Sequence, residues 1–405
     1  MAKYNTHTLP NGLRIIHLPS TSRVVYCGYQ IAAGTRDESS GEEGIAHFCE
    51  HMTFKGTEKR NALQIINALE GLGGELNAFT NKEDTTFYAA ISKEHFTQAV
   101  NVLTDIVFHS QYPQQEIDKE VEVICDEIES YNDSPAELIY DEFENILFEG
   151  HPLGHNILGK AEQLRTYTTD DALRFVHRYY RPDNAIFFAS GDVDFKRLCT
   201  LLNRSGIPNH PKVPDHPIIP KPLTGKNICR SLGTHQAHVM LGTRTFAADD
   251  ERRIPLFLLN NILGGPGMNA RLNLALRERR GLVYTVESNM TTYSDTGTWA
   301  VYFGCDHEDV KRCLRLVQHE LDRMAEHPLS ERQLAAAKRQ LKGQLAIASD
   351  NHEQFALDMA KVYLHEHKEH HISQLFQQID AVTATQMQQI AQEFFTPERL
   401  QTLIL

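Results

Sequence analysis

Hydrophobic and polar positions along the chain change period several times, and each change marks an element. Residues 6–19, interrupted by Pro10-Asn11-Gly12, read as strand, tight turn and strand, and 24–33 as a second strong strand closed by Gly34. A short, mostly buried helix is expected over 42–52. Residues 62–72 carry Leu63, Ile66, Leu69 and Leu72 at helical spacing and stop at Gly73-Gly74. Residues 76–80 and 85–91 read as paired strands, and 93–109 as a helix with Phe96, Val100, Leu103 and Val107 inward. Residues 115–131 place Ile117, Val121, Ile124 and Ile128 on one stripe and end before Asp133-Ser134-Pro135. Helices follow over 136–148 and 167–180, the second leading into Tyr179-Tyr180-Arg181-Pro182, and a buried strand over 185–190.

Residues 206–225 hold six prolines and no periodic apolar run, which is the composition of a linker. Beyond them the chain repeats itself. The helix ending in Tyr179-Tyr180-Arg181-Pro182 returns as a helix ending in Phe394-Phe395-Thr396-Pro397, an offset of 215 residues. The helix start Thr168-x-x-Asp171 returns at the same offset as the capping box Thr383-x-x-Gln386, and the acidic helix opening at Glu116 matches one opening at Glu331. The expectation is an α+β protein of two tandem homologous domains, 1–205 and 226–405. Each has a mixed, mostly antiparallel sheet with helices packed on one face.

A length of 405 residues suits two domains, and 41% hydrophobic with 23% charged residues describes a globular chain. A net charge of −13 without a basic block argues against nucleic acid as a partner. The seven cysteines are dispersed and odd in number, as free thiols in a reducing compartment would be. Neither a secretory h-region nor an apolar run near 18 residues is present, so no membrane is expected and the cytoplasm is the expected location.

The chemistry gathers at His47-Phe48-Cys49-Glu50-His51. Residues four apart share a helix face, so His47 and His51 aim two imidazoles at one point, with Glu50 beside it. Two imidazoles suit Zn²⁺, and a neighbouring carboxylate can take the proton of a water whose pKa the metal lowers to about 7. The order His-x-x-Glu-His inverts the commoner His-Glu-x-x-His signature. The bland alternative is a buried helix with two satisfied histidines. Glu120 and Glu127, two turns apart on the acidic helix, share a face, and either could supply a third ligand. Cys49 points to the other side of its helix, and Cys125 has no partner at ligand spacing. In the second copy Phe257, Asn260 and Asn261 stand opposite His47, Glu50 and His51, while Ala335 and Lys342 stand opposite Glu120 and Glu127. At these positions only the first copy carries metal-type residues.

These motifs, with Gly73-Gly74-x-x-Asn77-Ala78-x-Thr80 between them and a duplicated chain, resemble the inverted-zincin metallopeptidases of the pitrilysin / mitochondrial processing peptidase family, short-chain type. The resemblance implies His47, His51 and Glu127 as ligands of one Zn²⁺ per chain, Glu50 as general base and Glu120 as a supporting acid. It implies that Asn77 and Ala78 pair with the substrate backbone. It also implies that Arg277 and Tyr284, seven apart as in the family's Arg/Tyr pair, hold the scissile carbonyl. Leu263-Gly264-Gly265-Pro266-Gly267-Met268 resembles a glycine-rich loop that receives substrate. The function implied is a zinc endopeptidase cutting peptides or unfolded segments inside a chamber. Because this chain keeps both the metal motif and the Arg/Tyr pair, a homodimer is favoured over a heterodimer with a family partner. The competing expectation is a non-catalytic scaffold or partner subunit.

Overall fold

The computed structural model describes residues 3–208, 210–212, 220–221, 223, 225–230 and 232–405. Much of the expected linker therefore lies outside the described residues. Two compact units emerge: Met1–Ser130 with His151–Ile219 and Ser349–His371, and Tyr131–Gly150 with Pro220–Ala348 and Ile372–Leu405. No helix among the described residues is long and apolar enough to cross a membrane.

Among the described residues the first unit is built on six strands: β1 (Asn5–Thr8), β2 (Arg14–Pro19), β3 (Val24–Ile31), β4 (Glu75–Thr80), β5 (Thr85–Ser92) and β6 (Ala185–Gly191). Their order is β1-β2-β6-β3-β5-β4, with only β2 and β6 parallel. The β1–β2 turn closes through Gly12, whose φ of +93° a side chain would strain. One sheet face turns Ile15, Tyr29, Phe187 and Ala189 toward the helices Ile45–Thr53 and Phe96–His109. The alternate residues Ile16, Ile186 and Phe188 point the other way, onto Ala356, Met359, Ala360 and Leu364 of the helix His352–Glu366. Every residue of β6 is buried. Arg14 fastens that helix by donating to the carbonyls of Tyr363 and Leu364 at 2.8 and 3.1 Å. The sheet is thus covered on both faces, where the sequence pattern led us to expect one. Strands apolar on both sides need cover on both sides.

In the second unit β7 (Asn227–Cys229), β8 (Ala237–Thr245), β9 (Val283–Thr292), β10 (Gly297–Cys305) and β11 (Gln401–Ile404) run in the order β7-β11-β8-β10-β9. Here too the one parallel pair is β7 with β11, and the remaining pairs are antiparallel. This is the first sheet's topology without the β1 hairpin strand. The helices Thr169–Tyr179 and Ala384–Phe394 both start on capping boxes, at Thr168 and Thr383. Duplication is therefore legible in the topology as well as in the sequence. The helix Pro135–Leu147 belongs to this unit and packs on β8, with Ile139, Phe143 and Leu147 buried. Each unit thus includes a helix from the other half of the chain. The compact units accordingly differ from contiguous domains at 1–205 and 226–405.

Candidate metal centre

The helix Ile45–Thr53 is short because its apolar side is short. Ile45, Phe48, Cys49 and Met52 enter the core, which turns His47, Glu50 and His51 to the opposite side. The two imidazoles sit one turn apart with ring centroids 4.5 Å from each other. Against them lies the acidic helix Gln114–Asn132, seated on Ile117, Val121, Ile124 and Cys125. Cys49 and Cys125 are free and buried in the core, as expected.

The acidic helix brings both glutamates to the histidines. Glu127 Oε2 lies 3.6 Å from His51 Nε2 and 3.9 Å from His47 Nε2. One ligand atom from each of the three residues falls within 4.8 Å of the others. Tetrahedral ligands about 2.1 Å from a Zn²⁺ are about 3.4 Å apart, so this donor set fits the ion with a small contraction. Glu120 meets the other ring nitrogen: its Oε1 is 3.0 Å from His51 Nδ1, and Lys55 Nζ is 2.6 Å from its Oε2. A carboxylate on Nδ1 fixes the tautomer that leaves Nε2 free to bind a metal.

The electrostatics differ from residue to residue. Burial, then the neighbouring His51, pushes the His47 pKa down to about 3, so its ring is neutral and its lone pair available. Burial also works against charge on His51, but the Glu120 hydrogen bond and the carboxylates of Glu50, Glu127 and Glu120 outweigh it and raise its pKa. Glu120 is itself desolvated, yet His51 and Lys55 hold its carboxyl below the ordinary range. Glu50 goes the other way. Its burial raises its pKa against the opposing pull of a hydrogen bond from Thr80 Oγ1 at 2.7 Å and of His51.

Asn77 and Ala78 lie on β4, the outermost strand of the first sheet, which pairs only with β5 among the described strands. In the second unit Arg277 sits in a π-helical stretch, Asn273–Glu278, and its guanidinium lies 5.4 Å over the ring of Tyr284. Tyr284 is 79% exposed. Both line a cleft of about 580 Å³ with Gly264, Gly265, Gly267 and Met268. Asn260, opposite Glu50 in the repeat, is tied into the core instead: its Oδ1 accepts from Trp299 Nε1 at 3.0 Å.

Two residues of the site were given no role from sequence. Thr80 is only a position in the Gly73-Gly74 motif, and Lys55 carries no signal of its own in the sequence. Lys55 stands close to two other cations, Lys59 and Arg60, and spacing alone does not say which of them meets the acidic helix.

Comparison with known proteins agrees with the fold. Residues 14–161 match the family model of insulinase, peptidase family M16, and residues 166–341 match the M16 inactive domain. A protein of Bacillus subtilis named an uncharacterized zinc protease is 31% identical over 402 residues, 98% of this chain and 97% of its own. One of Streptomyces coelicolor, named likewise, is 35% identical over 358 residues, 85% of this chain and 77% of its own. The crystal structure of a protease from Helicobacter pylori superposes with a TM-score of 0.90 at 21% identity, covering 100% of this chain and 99% of that one. That of an M16 inactive domain from Pseudomonas fluorescens gives 0.92 at 19% identity, covering 99% and 97%. These two likenesses concern the fold. The chain belongs to peptidase family M16, and its relatives are named zinc proteases.

Proposed function

We propose that this chain is a zinc-dependent endopeptidase acting on peptides and unfolded segments. One observation carries the reading: two imidazoles and a carboxylate converge within 4.8 Å beside a buried glutamate that is not needed as a ligand. His47, His51 and Glu127 would hold the metal, which when bound supplies a Lewis acid for the scissile carbonyl and acidifies water. Glu50 accepts the proton of the attacking water and delivers it to the leaving amine. Its burial raises its proton affinity toward the range such a shuttle needs. Thr80 holds that carboxylate in place, and Glu120 with Lys55 orients His51. The open side of β4, at Asn77 and Ala78, offers main-chain groups to an extended peptide. Arg277 and Tyr284 are assigned to the scissile carbonyl on the family resemblance, together with the exposure of the phenol. The homodimer is likewise proposed on that resemblance.

The test is hydrolysis of a quenched fluorescent peptide library by the purified chain and by Glu50→Gln, with bound zinc assayed in both. Cleavage by wild type alone, with zinc in both, is expected. Zinc in both and cleavage by neither would favour a scaffold or partner subunit. No zinc in either would overturn the metal assignment.

A further inference from the structure

The helix that carries His47 and His51 begins without a cap of its own. Its N-cap is Gly44, left-handed at φ +88° and with no side chain to offer. The N–H groups at a helix start need acceptors. They find them in Glu38, six residues upstream, whose Oε2 accepts from the Gly44 N–H and Oε1 from the Ala46 N–H, each at 2.9 Å. The Glu38 side chain is 0% exposed. A carboxylate at this end also meets the positive pole of the helix.

Glu38 is held from behind. His155 Nε2 lies 2.7 Å from its Oε2, and the His155 carbonyl accepts from the ammonium of Lys82, itself buried. The same loop touches the helix start backbone to backbone. A Cβ on Gly44 would come within 2.8 Å of Gly159 Cα, and one on Gly159 within 2.5 Å of the Glu43 carbonyl oxygen. Neither Glu38 nor His155 is among the three clustered donors.

We propose that Glu38 and His155 are positioning residues for the metal centre. They pin the first turn of the helix, in which His47 directly follows Ala46, so that His47 and His51 stand at ligand spacing. The inference rests on the reading of His47, His51 and Glu127 as metal ligands. Without the clamp the first turn frays, and His47 is the ligand lost first.

The test uses the full chain with Glu38→Ala, His155→Ala and His155→Gln. Zinc affinity is measured by competition with a chromophoric chelator at 25 °C, beside the melting midpoint of each metal-free protein. Glu38→Ala and His155→Ala are expected to bind zinc about 10-fold more weakly, the low end of the range for groups bonded directly to a ligand, since these two act through the backbone of the helix start. His155→Gln, whose amide can still donate to Glu38, should recover most of the affinity. A purely structural role would lower the midpoint and leave zinc affinity unchanged, and that result in His155→Ala would overturn the proposal. If Glu38→Ala does not fold, the two His155 variants decide alone. Wild type that takes up no zinc would overturn the ligand assignment itself, an outcome distinct from a loss confined to the variants.

Discussion

Thr80 donates its hydroxyl proton to Glu50 Oε2 across 2.7 Å, joining the last residue of β4 to the proposed base. The strand whose open side would receive a peptide therefore also holds the group that would move the proton. Thr80→Val keeps the shape and removes the donor. A hydrogen bond to the charged form lowers a carboxylate pKa, so its loss raises that of Glu50. The base form is then available only at higher pH. The acid limb of the kcat/KM profile should move upward in pH, and a limb that stays in place would deny Thr80 this role.

Glu120→Gln removes the charge that faces His51 and Lys55. Zinc affinity should fall about 10- to 100-fold with the fold retained. Chelator competition on the purified variant measures it, and unchanged affinity would make the contact incidental.

The metal-free protein should lose stability as pH falls below about 6.5, because an unfolded His47 takes a proton there and the folded one does not until about pH 3. In that window the unfolded state binds more protons, so stability rises with pH. His51 has the opposite sign: its raised pKa gives stability that is present below 6.5 and lost as pH climbs through the folded value. Urea midpoints across pH, for wild type and His47→Gln, separate the two. The variant should lose the His47 share of the acid-side slope and keep that of His17, His210, His238, His367 and His370, whose pKa values burial also lowers.

Tyr284→Phe deletes one phenolic donor that projects into solvent. If it serves the carbonyl, kcat should drop about 10²- to 10³-fold. Zinc content should not change. Single-turnover cleavage of a fluorogenic peptide is the measurement, and a kcat near wild type would leave Tyr284 without a catalytic role.

Met359 is fully buried against the second face of the first sheet, among Ile16, Ile186 and Phe188. Met359→Ala should cost about 2–5 kcal/mol of stability, read from urea unfolding. A loss under 1 kcal/mol, as for a surface change, would mean that the helix His352–Glu366 contributes little to this unit.

Much of the molecule could be read from the chain itself, for local reasons. Helical spacing marked the acidic helix, and the capping boxes at Thr168 and Thr383 marked matching helix starts, because each depends on neighbours within a few residues. His47 and His51 share a face by helix geometry alone. What the second copy lacks pointed to a site in the first.

Tertiary structure decided the rest. That Glu127 approaches both imidazoles while Glu120 takes the back of His51 depends on how two helices more than sixty residues apart in sequence pack. The pairing of Lys55 with Glu120, of Thr80 with Glu50 and of His155 with Glu38 has no periodic signature, since a polar side chain finds its partner through space. The exchange of helices between the halves was hidden for the same reason. Ile139, Phe143 and Met359 announce an apolar helix face, but burial of apolar surface is non-directional and does not say which sheet will cover it.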